Sequence, residues 1–313
     1  MALGTSAHKF SARNAVEVAN ILLTDDLVLA ATVNRDIASN FGGGTGSTVN
    51  VRIPAALKAR VRDLHSTAPV VMDSLNEDTV PVSLTDHAYS AVRLDDADLT
   101  LDITDFGRQV LKPQTDALVE YIEDVTVGLL RRVPVNTTMR YDASAPERTF
   151  VVARKSLRDL GISSAGLVAA VGTGVYADLL NSGALRDYDR SGSTTALRNG
   201  VVGRVANFDV VESNRLDDGE IVFYGKDSFA LAVRAPVVPD SVFGQSVASN
   251  GFALRWIRDY DSATLAERSV VSTFVGGAVM PASKYDPTAN SGAGAVVQVT
   301  PAIRMSTTDA EPV

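Results

Sequence analysis

From Pro54 to Leu94 the chain alternates like a strand but carries few large apolar side chains. Lys58, Arg60 and Arg62 share one side of the first arm, and Val80, Val82 and Leu84 share one side of the second. This predicts a long hairpin with little core of its own. A two-stranded ribbon is at best marginally stable in water, so about forty residues of this kind fit a chain in which another surface covers them. Asp73, Glu77 and Asp78 on the return could pair with the basic arm. A solvated hairpin with ordinary surface charges is the plainer reading of the same residues.

On either side of this ribbon the pattern is more conventional. Residues 12–38 place Val18, Ile21 and Leu22 at helical spacing, with Asp25 and Asp26 breaking the run before Leu27–Val33, which reads as two short helices or a helix and an extended piece. Phe41–Gly46 is a glycine-rich connector, and Thr48–Ile53 alternates strictly, with Val49, Val51 and Ile53 as the apolar face of a strand. The clearest helix spans about 113–132: Pro113 suits its first turn, and Leu118, Ile122, Val125 and Leu129 recur every third or fourth position. Arg131 and Arg132 complement its C-terminal dipole. A short capped turn over 104–110 leads into it. Further on, the sequence predicts a strand at Phe150–Val152, a helix near Ser156–Leu160, an apolar run at Leu167–Val171, a helix at Gly174–Asn181 and a polar stretch over 182–200. Gly203–Asn214 then precedes strands at 220–224, 251–260 and 269–279, and the tail from Asp286 is rich in Gly, Ala, Ser and Thr. The class is α+β, without internal repeats.

Length and composition narrow the function. A chain of 313 residues with 45% hydrophobic and 21% charged residues folds, as about two domains. Its net charge of −8 argues against a general nucleic-acid binder, which would neutralise phosphates. Without cysteine, disulfides, thiolate metal sites and Cys nucleophiles are excluded. Residues 1–10 contain no long apolar run, and no stretch approaches a membrane span, so neither a signal peptide nor a membrane partner is expected.

Motifs that would carry chemistry are isolated. Gly172-Thr173-Gly174-Val175-Tyr176-Ala177 matches G-x-G-x-x-A between an apolar run and a helix, the local setting of a dinucleotide turn. However, Asp187 and Asp189, the acids at the right distance to hold a ribose, fall in the polar stretch rather than at a strand end, which favours an ordinary strand-to-helix turn. Gly42–Gly46 lacks the Gly-Lys-Ser/Thr of a phosphate loop. His8, His65 and His87 have no paired ligand spacing. Asp95, Asp96, Asp98 and Asp102 lack the Gly and Glu of a calcium loop, and Ser213 lacks the G-x-S-x-G of a nucleophile elbow. No catalytic, cofactor-binding or metal-binding residue is assigned; the chain is expected not to be an enzyme, with a dinucleotide-dependent one at Gly172 and Gly174 as the remote alternative.

The order of arm, thin hairpin, long helix, compact α/β insert and return strands resembles that of tailed-bacteriophage major capsid proteins with the HK97 fold. Val33-Asn34-Arg35-Asp36 with Gly46-Ser47-Thr48-Val49-Asn50-Val51-Arg52 is similar to the "VNRD … GDTVNVR" opening of the P22 coat-protein-like branch, with Ser47 in place of Asp. Gly203-Arg204-Val205-Ala206-Asn207-Phe208-Asp209-Val210-Val211-Glu212-Ser213-Asn214 is similar to its "GR-x-x-GFDVYESN" segment, with Asn207 in place of Gly.

The resemblance implies an N-terminal arm over 1–45 and an extended hairpin, the E-loop, over 46–98. It implies a peripheral domain over 99–148 and 219–285 containing the spine helix at about 113–132, an axial domain over 149–218, and a C-terminal strand and tail over 286–313. It implies self-assembly into pentamers and hexamers of an icosahedral shell around double-stranded DNA in a virion built in the bacterial cytoplasm. The implied partners are a separate scaffolding protein, a portal protein and loosely held DNA, with decoration proteins as an open addition. An encapsulin-like compartment shell is the alternative with the same fold. HK97 crosslinks its subunits through Lys–Asn isopeptide bonds. Lys58 and Lys226 are present, but no catalytic Glu can be placed beside them, so no crosslink is expected.

Overall fold

The computed structural model describes residues 27–41, 46–67, 69–72, 77–95, 106–182, 203–286, 288–289 and 295–306. The predicted helix over 12–26 and the acids Asp96, Asp98 and Asp102 lie outside them, as do Asp73, His8 and the stretch 183–202. In chain order, β1 (Thr48–Ile53) and β2 (Asp78–Asp95) precede a π-helical turn, Gly107–Leu111, that runs straight into helix α1 (Lys112–Arg131). Helix α2 (Pro146–Asp159), β3 (Leu167–Val171) and helix α3 (Thr173–Asn181) come next. They are followed by β4 (Arg204–Val205), β5 (Phe208–Glu212), β6 (Glu220–Gly225) and β7 (Phe229–Arg234). The chain continues through β8 (Phe243–Ser249), β9 (Phe252–Asp261), β10 (Ala266–Val279), β11 (Ala282–Asp286), β12 (Ala295–Val299) and β13 (Ala302–Ser306).

The larger sheet has the order β1-β2-β10-β9-β8, with β7 pairing the end of β10. β10 is its axis: β2 runs antiparallel along one side, while β9 covers 266–272 and β7 covers 274–279 on the other. Helix α1 lies across one face of this sheet. Of the predicted stripe, Leu118, Ile122 and Leu129 are buried and Val125 is half-buried against them; with Leu130 they join Trp256, Leu254, Val271 and Val275 in one core cluster. Buried polar groups set the register of helix on sheet. Gln114 donates through Nε2 to the carbonyls of Ser90 (3.0 Å) and Ser269 (2.8 Å), and Trp256 donates to Ser269 Oγ at 2.9 Å. Each buried polar atom so satisfied avoids a penalty of about 1–3 kcal/mol.

The second sheet has the order β13-β6-β3-β5-β4 and is buried on both faces. Val168, Ala170, Val222 and Tyr224 face the α1 cluster, while Leu167, Ala169, Val171, Ile221 and Phe223 face a second cluster under α2 and α3. This two-sided burial is why Leu167–Val171 is an unbroken apolar run and not an alternating one. β6 and β13 belong to this sheet, so it draws on both sides of the 218/219 and 285/286 boundaries named above.

Phe150–Val152, expected as a strand, is helical. Pro146 opens α2, and Phe150, Ala153 and Leu157 are buried at spacings of three and four, whereas Val151 and Val152 face solvent. Three residues are too few to show a period of two against that longer pattern. Leu27–Val33 is neither helical nor extended but a series of turns. The backbone N–H groups of Val28 (2.7 Å), Leu29 (3.1 Å) and Ala30 (3.2 Å) all donate to the buried carboxylate of Glu123 on α1. Leu29, Ala30, Val33, Ile37 and Phe41 are buried, so this part of the arm is core.

Glu220 at the start of β6 is 1% exposed. It accepts from Arg131 Nη2 at 2.8 Å, from Arg304 Nε of β13 at 2.7 Å and from the Asp217 backbone N–H at 3.2 Å. Burial alone would raise its pKa, but the hydrogen bonds from Arg131, Asp217 and Arg304 outweigh it and hold the carboxyl below the ordinary glutamate value. A lowered folded-state pKa adds stability above the unfolded-state value, and that stability is lost as pH falls through the folded one. Glu220→Ala leaves two arginines facing an emptied, buried site and is expected to cost about 3 kcal/mol, read by denaturant melts. Melts from pH 7 to pH 3 should show a shallower acid decline in the variant than in the parent. A second prediction concerns Leu265, which sits at φ +47 and is 62% exposed at the tip between β9 and β10. Leu265→Gly is expected to stabilise the chain by about 1 kcal/mol by relieving the left-handed backbone.

Candidate functional site

The glycine turn suggested by the sequence is filled by the chain itself. A Cβ on Gly172 would lie 1.9 Å from the Asp217 carbonyl oxygen, and one on Gly174 would lie 2.9 Å from that of Asp218. The start of α3 is capped in the same way: Val175 N–H donates to the Asp218 carbonyl at 3.0 Å, and Thr173 Oγ1 donates to the Asp218 carboxylate at 2.7 Å. The glycines admit the 217–218 backbone where a pyrophosphate would have to sit. Ser213 is buried and docks its N–H on Val171 O at 3.0 Å. His65 is exposed in the loop after β1, and His87 lies on β2 with its ring 4.7 Å from that of Phe274. Among the described residues, no three His, Cys, Asp or Glu side chains converge on a common point.

The least self-sufficient part of the described chain is the predicted hairpin. β1 pairs with β2 from Thr48↔Ser83 to Ile53↔Asp78, with the expected Val49, Val51 and Ile53 facing inward, and the pairing stops there. Residues 54–67 and 69–72 are not in any strand, so the basic arm does not pair with Val80, Val82 and Leu84 as the alternation predicts. β2 instead uses its remaining length on β10. Of the return acids, Glu77 pairs with Arg52 at 3.3 Å, and Asp78 accepts from Gln298 at 2.6 Å. Lys58 lies 5.3 Å over the Tyr285 ring.

Sequence reading weighed this loop by its charges and passed over its apolar side chains. Leu57 (60%), Val61 (100%), Leu64 (91%), Val70 (68%), Val71 (61%) and Met72 (88%) are all exposed. Six large apolar side chains held in water on one extension, beside cores in which Trp256, Phe150 and Phe223 are fully covered, mark a surface built to meet another surface.

Neither family models nor curated proteins match this sequence. Solved structures do match its fold. A chain from Mycobacterium phage Che8 superposes with a TM-score of 0.62 at 18% identity, covering 89% of this chain and 90% of that one. The capsid structure of the cyanophage P-SCSP1u gives 0.55 at 11% identity, covering 84% of each chain. The fold is the HK97-type capsid fold. The virus-like particle from Pyrococcus furiosus has this fold too, with a TM-score of 0.51 at 12% identity over 93% of this chain and 98% of that one. In a chain with the capsid fold, the long helix, the sheet beneath it and the uncovered loop are parts of one architecture, and the loop is the candidate functional surface.

With the glycine turn filled by backbone, Gly172→Ala is expected to cost more than about 3 kcal/mol by forcing apart two packed segments. Thermal melts of the parent with and without millimolar NAD or NADH should coincide.

Proposed function

We propose that this chain is a tailed-bacteriophage major capsid protein, a structural subunit that assembles with itself into pentamers and hexamers of an icosahedral shell enclosing double-stranded DNA. One observation carries the reading: a chain with the capsid fold holds six large apolar side chains on a projecting loop that its own body leaves uncovered. Burial of that loop comes from neighbours, so its order is coupled to assembly. Subunits that meet head to tail around rotation axes close into rings. A wall of net charge −8 confines DNA without gripping it. Residues 46–98 are the E-loop, α1 is the spine helix of a peripheral domain, and the sheet around β3 with α2 and α3 forms the axial domain. A separate scaffolding protein and a portal protein complete the assembly. The VNRD and GR-x-x-x-FDVVESN phrases support placement near the P22 coat-protein branch. The likeness to the virus-like particle from Pyrococcus furiosus leaves room for a second reading, a shell of the same fold that encloses a protein cargo in place of a phage genome.

Size-exclusion chromatography with light scattering and negative-stain microscopy, with and without a co-expressed scaffolding candidate, tests the proposal. Uniform megadalton shells are expected; a 33 kDa monomer under both conditions overturns it. Nucleic acid inside native particles supports the phage reading, whereas a copurifying cargo protein supports the compartment. The double charge reversal Arg60→Glu and Arg62→Glu is expected to leave the melting temperature unchanged and to lower particle yield at least about tenfold, as loss of long-range attraction to an acidic neighbour predicts.

A further inference from the structure

Four half-buried arginines have a carboxylate beside them: Arg131 and Arg304 share Glu220, Arg215 pairs with Asp124, and Arg258 pairs with Glu267. The other three half-buried arginines, Arg35, Arg234 and Arg255, have no carboxylate within ion-pair distance among the described residues. Taking a guanidinium out of water without a counter-ion is costly, which is why such groups are paired elsewhere in this chain. Burial holds Arg35 and Arg255 below the ordinary arginine pKa, and for Arg35 the charge of neighbouring Asp36 offsets only part of that effect.

These three arginines meet at one place. Val233 and Leu254 belong to the core beneath α1, so the adjacent Arg234 and Arg255 stand on the opposite face of the larger sheet. Arg234 lies across from Phe274 and Arg255 across from Ser272, two residues apart on β10, where β7 and β9 succeed one another along the same side of that strand. Beside this junction is a groove of 680 Å³, lined by Arg35, Asp36 and Ser39 on one wall and by Arg234, Ser246 and Phe252 on the other. Arg35 is held in position: its guanidinium carbon lies 4.5 Å over the Phe252 ring, and a Cβ on Gly251 would come within 2.7 Å of the Arg35 Cβ. Arg255, the cross-strand partner of Ser246, is anchored by donating to the Val237 carbonyl at 2.7 Å and to Ser272 Oγ at 3.2 Å. Lys226, whose ammonium has no ion-pair partner among the described residues, lines an adjoining cavity of 460 Å³ that shares Arg35.

We propose that this groove is a binding site for a phosphoryl group, held between Arg35 and Arg234, with Arg255 and Lys226 adding attraction at longer range. One guanidinium fork saturates a carboxylate, whose two oxygens lie in a single plane, whereas a phosphoryl group spreads three oxygens tetrahedrally and can accept from forks on opposite walls. Ser39 and Ser246 add hydroxyl donors along the same walls. Asp36 is exposed at the rim and opposes an anion, but three arginines and a lysine outweigh it, a local reversal of sign in a chain of net charge −8. The site does not depend on the shell reading, because every group that forms it belongs to one chain. A phosphate ion in solution and the backbone of a nucleic acid carry the same phosphoryl chemistry.

Calorimetric titration and thermal melts of the full chain with inorganic phosphate, at an ionic strength held constant with sodium chloride, test the site. Saturable binding is expected, with a melting temperature that rises with phosphate and not with the matched chloride. Arg35→Gln and Arg234→Gln should each weaken phosphate binding at least about tenfold, the loss of one charge-assisted hydrogen bond. Lys155→Gln, which removes an exposed cation of α2 that pairs with Asp159, should leave it unchanged. An equal shift in chloride, the lack of saturable binding, or binding that is unchanged in both arginine variants overturns the proposal. Should Arg35→Gln fail to fold, Arg234→Gln decides alone. A labelled short DNA duplex separates the two sources of the group once phosphate binding is established. Duplex displaced by phosphate and weakened by the same two variants supports the site with a nucleic-acid backbone as its ligand, whereas a duplex insensitive to them supports it with the free ion.

Discussion

The structure depends on one buried carboxylate. Glu220 stands at the start of β6, where the end of the long helix, the last described strand and the turn at Asp217 converge, and it accepts hydrogen bonds from all three. Without Arg131 and Arg304, desolvating that charge would be prohibitive; without Glu220, two guanidinium groups would face each other at the junction. The second arginine contact is reinforced by backbone: Asn136 N–H donates to the Arg304 carbonyl at 2.7 Å, carrying the chain beyond the helix along β13. The helix is thereby tied at its C-terminal end to the smaller sheet and through Gln114 at its N-terminal end to the larger one. A second carboxylate on the same helix, Glu123, gathers three backbone amides of the incoming arm. The helix is a beam with fixed attachments at both ends and in the middle.

Against that rigidity, the loop between β1 and β2 stands out. Among the described residues the body holds its large aromatic and aliphatic side chains in three buried clusters, with scattered exceptions such as Val28, Tyr89, Val237 and Phe243, whereas Leu57, Val61, Leu64, Val70, Val71 and Met72 of the loop are all exposed. Under the proposed shell reading the energetics divide: the helix, residues 27–41 and the two sheets stabilise the monomer, whereas the loop would contribute once a neighbour covers it. Such a division suits a shell protein, which must remain folded and soluble before assembly and gain contacts on closure.

Legibility in the sequence followed the range of the interaction. The long helix, β1, β9 and β10 could be read because their burial patterns repeat over enough residues to reveal a period. Phe150–Val152 was misread because three β-favouring residues sat inside a helix whose buried positions, Phe150, Ala153 and Leu157, extend beyond that window. β8 was missed although Asn250-Gly251 between polar and apolar runs is a strong hairpin signal, since β8 itself is thin in apolar side chains. The C-terminal strands hid in a tail rich in small residues. The loop was found by its lack of core, but its exposed Leu57, Val61 and Leu64 were overlooked beside the charges.

The sequence by itself determined the α+β class, the long helix, the strand at Thr48–Ile53 and the poverty of catalytic groupings. These are local or compositional properties, written in spacing and residue type. The want of internal cover read over all of Pro54–Leu94 holds only for the described residues before β2, because β2 is paired with β10 and buries Val82, Ala88 and Leu94. Only the tertiary structure decided that β13 closes the sheet begun by β3, that residues 27–41 are core and that Gly172 exists to admit the Asp217 backbone. Each of these is a meeting of segments far apart in the chain, and local periodicity records that a face must be buried without recording what will bury it.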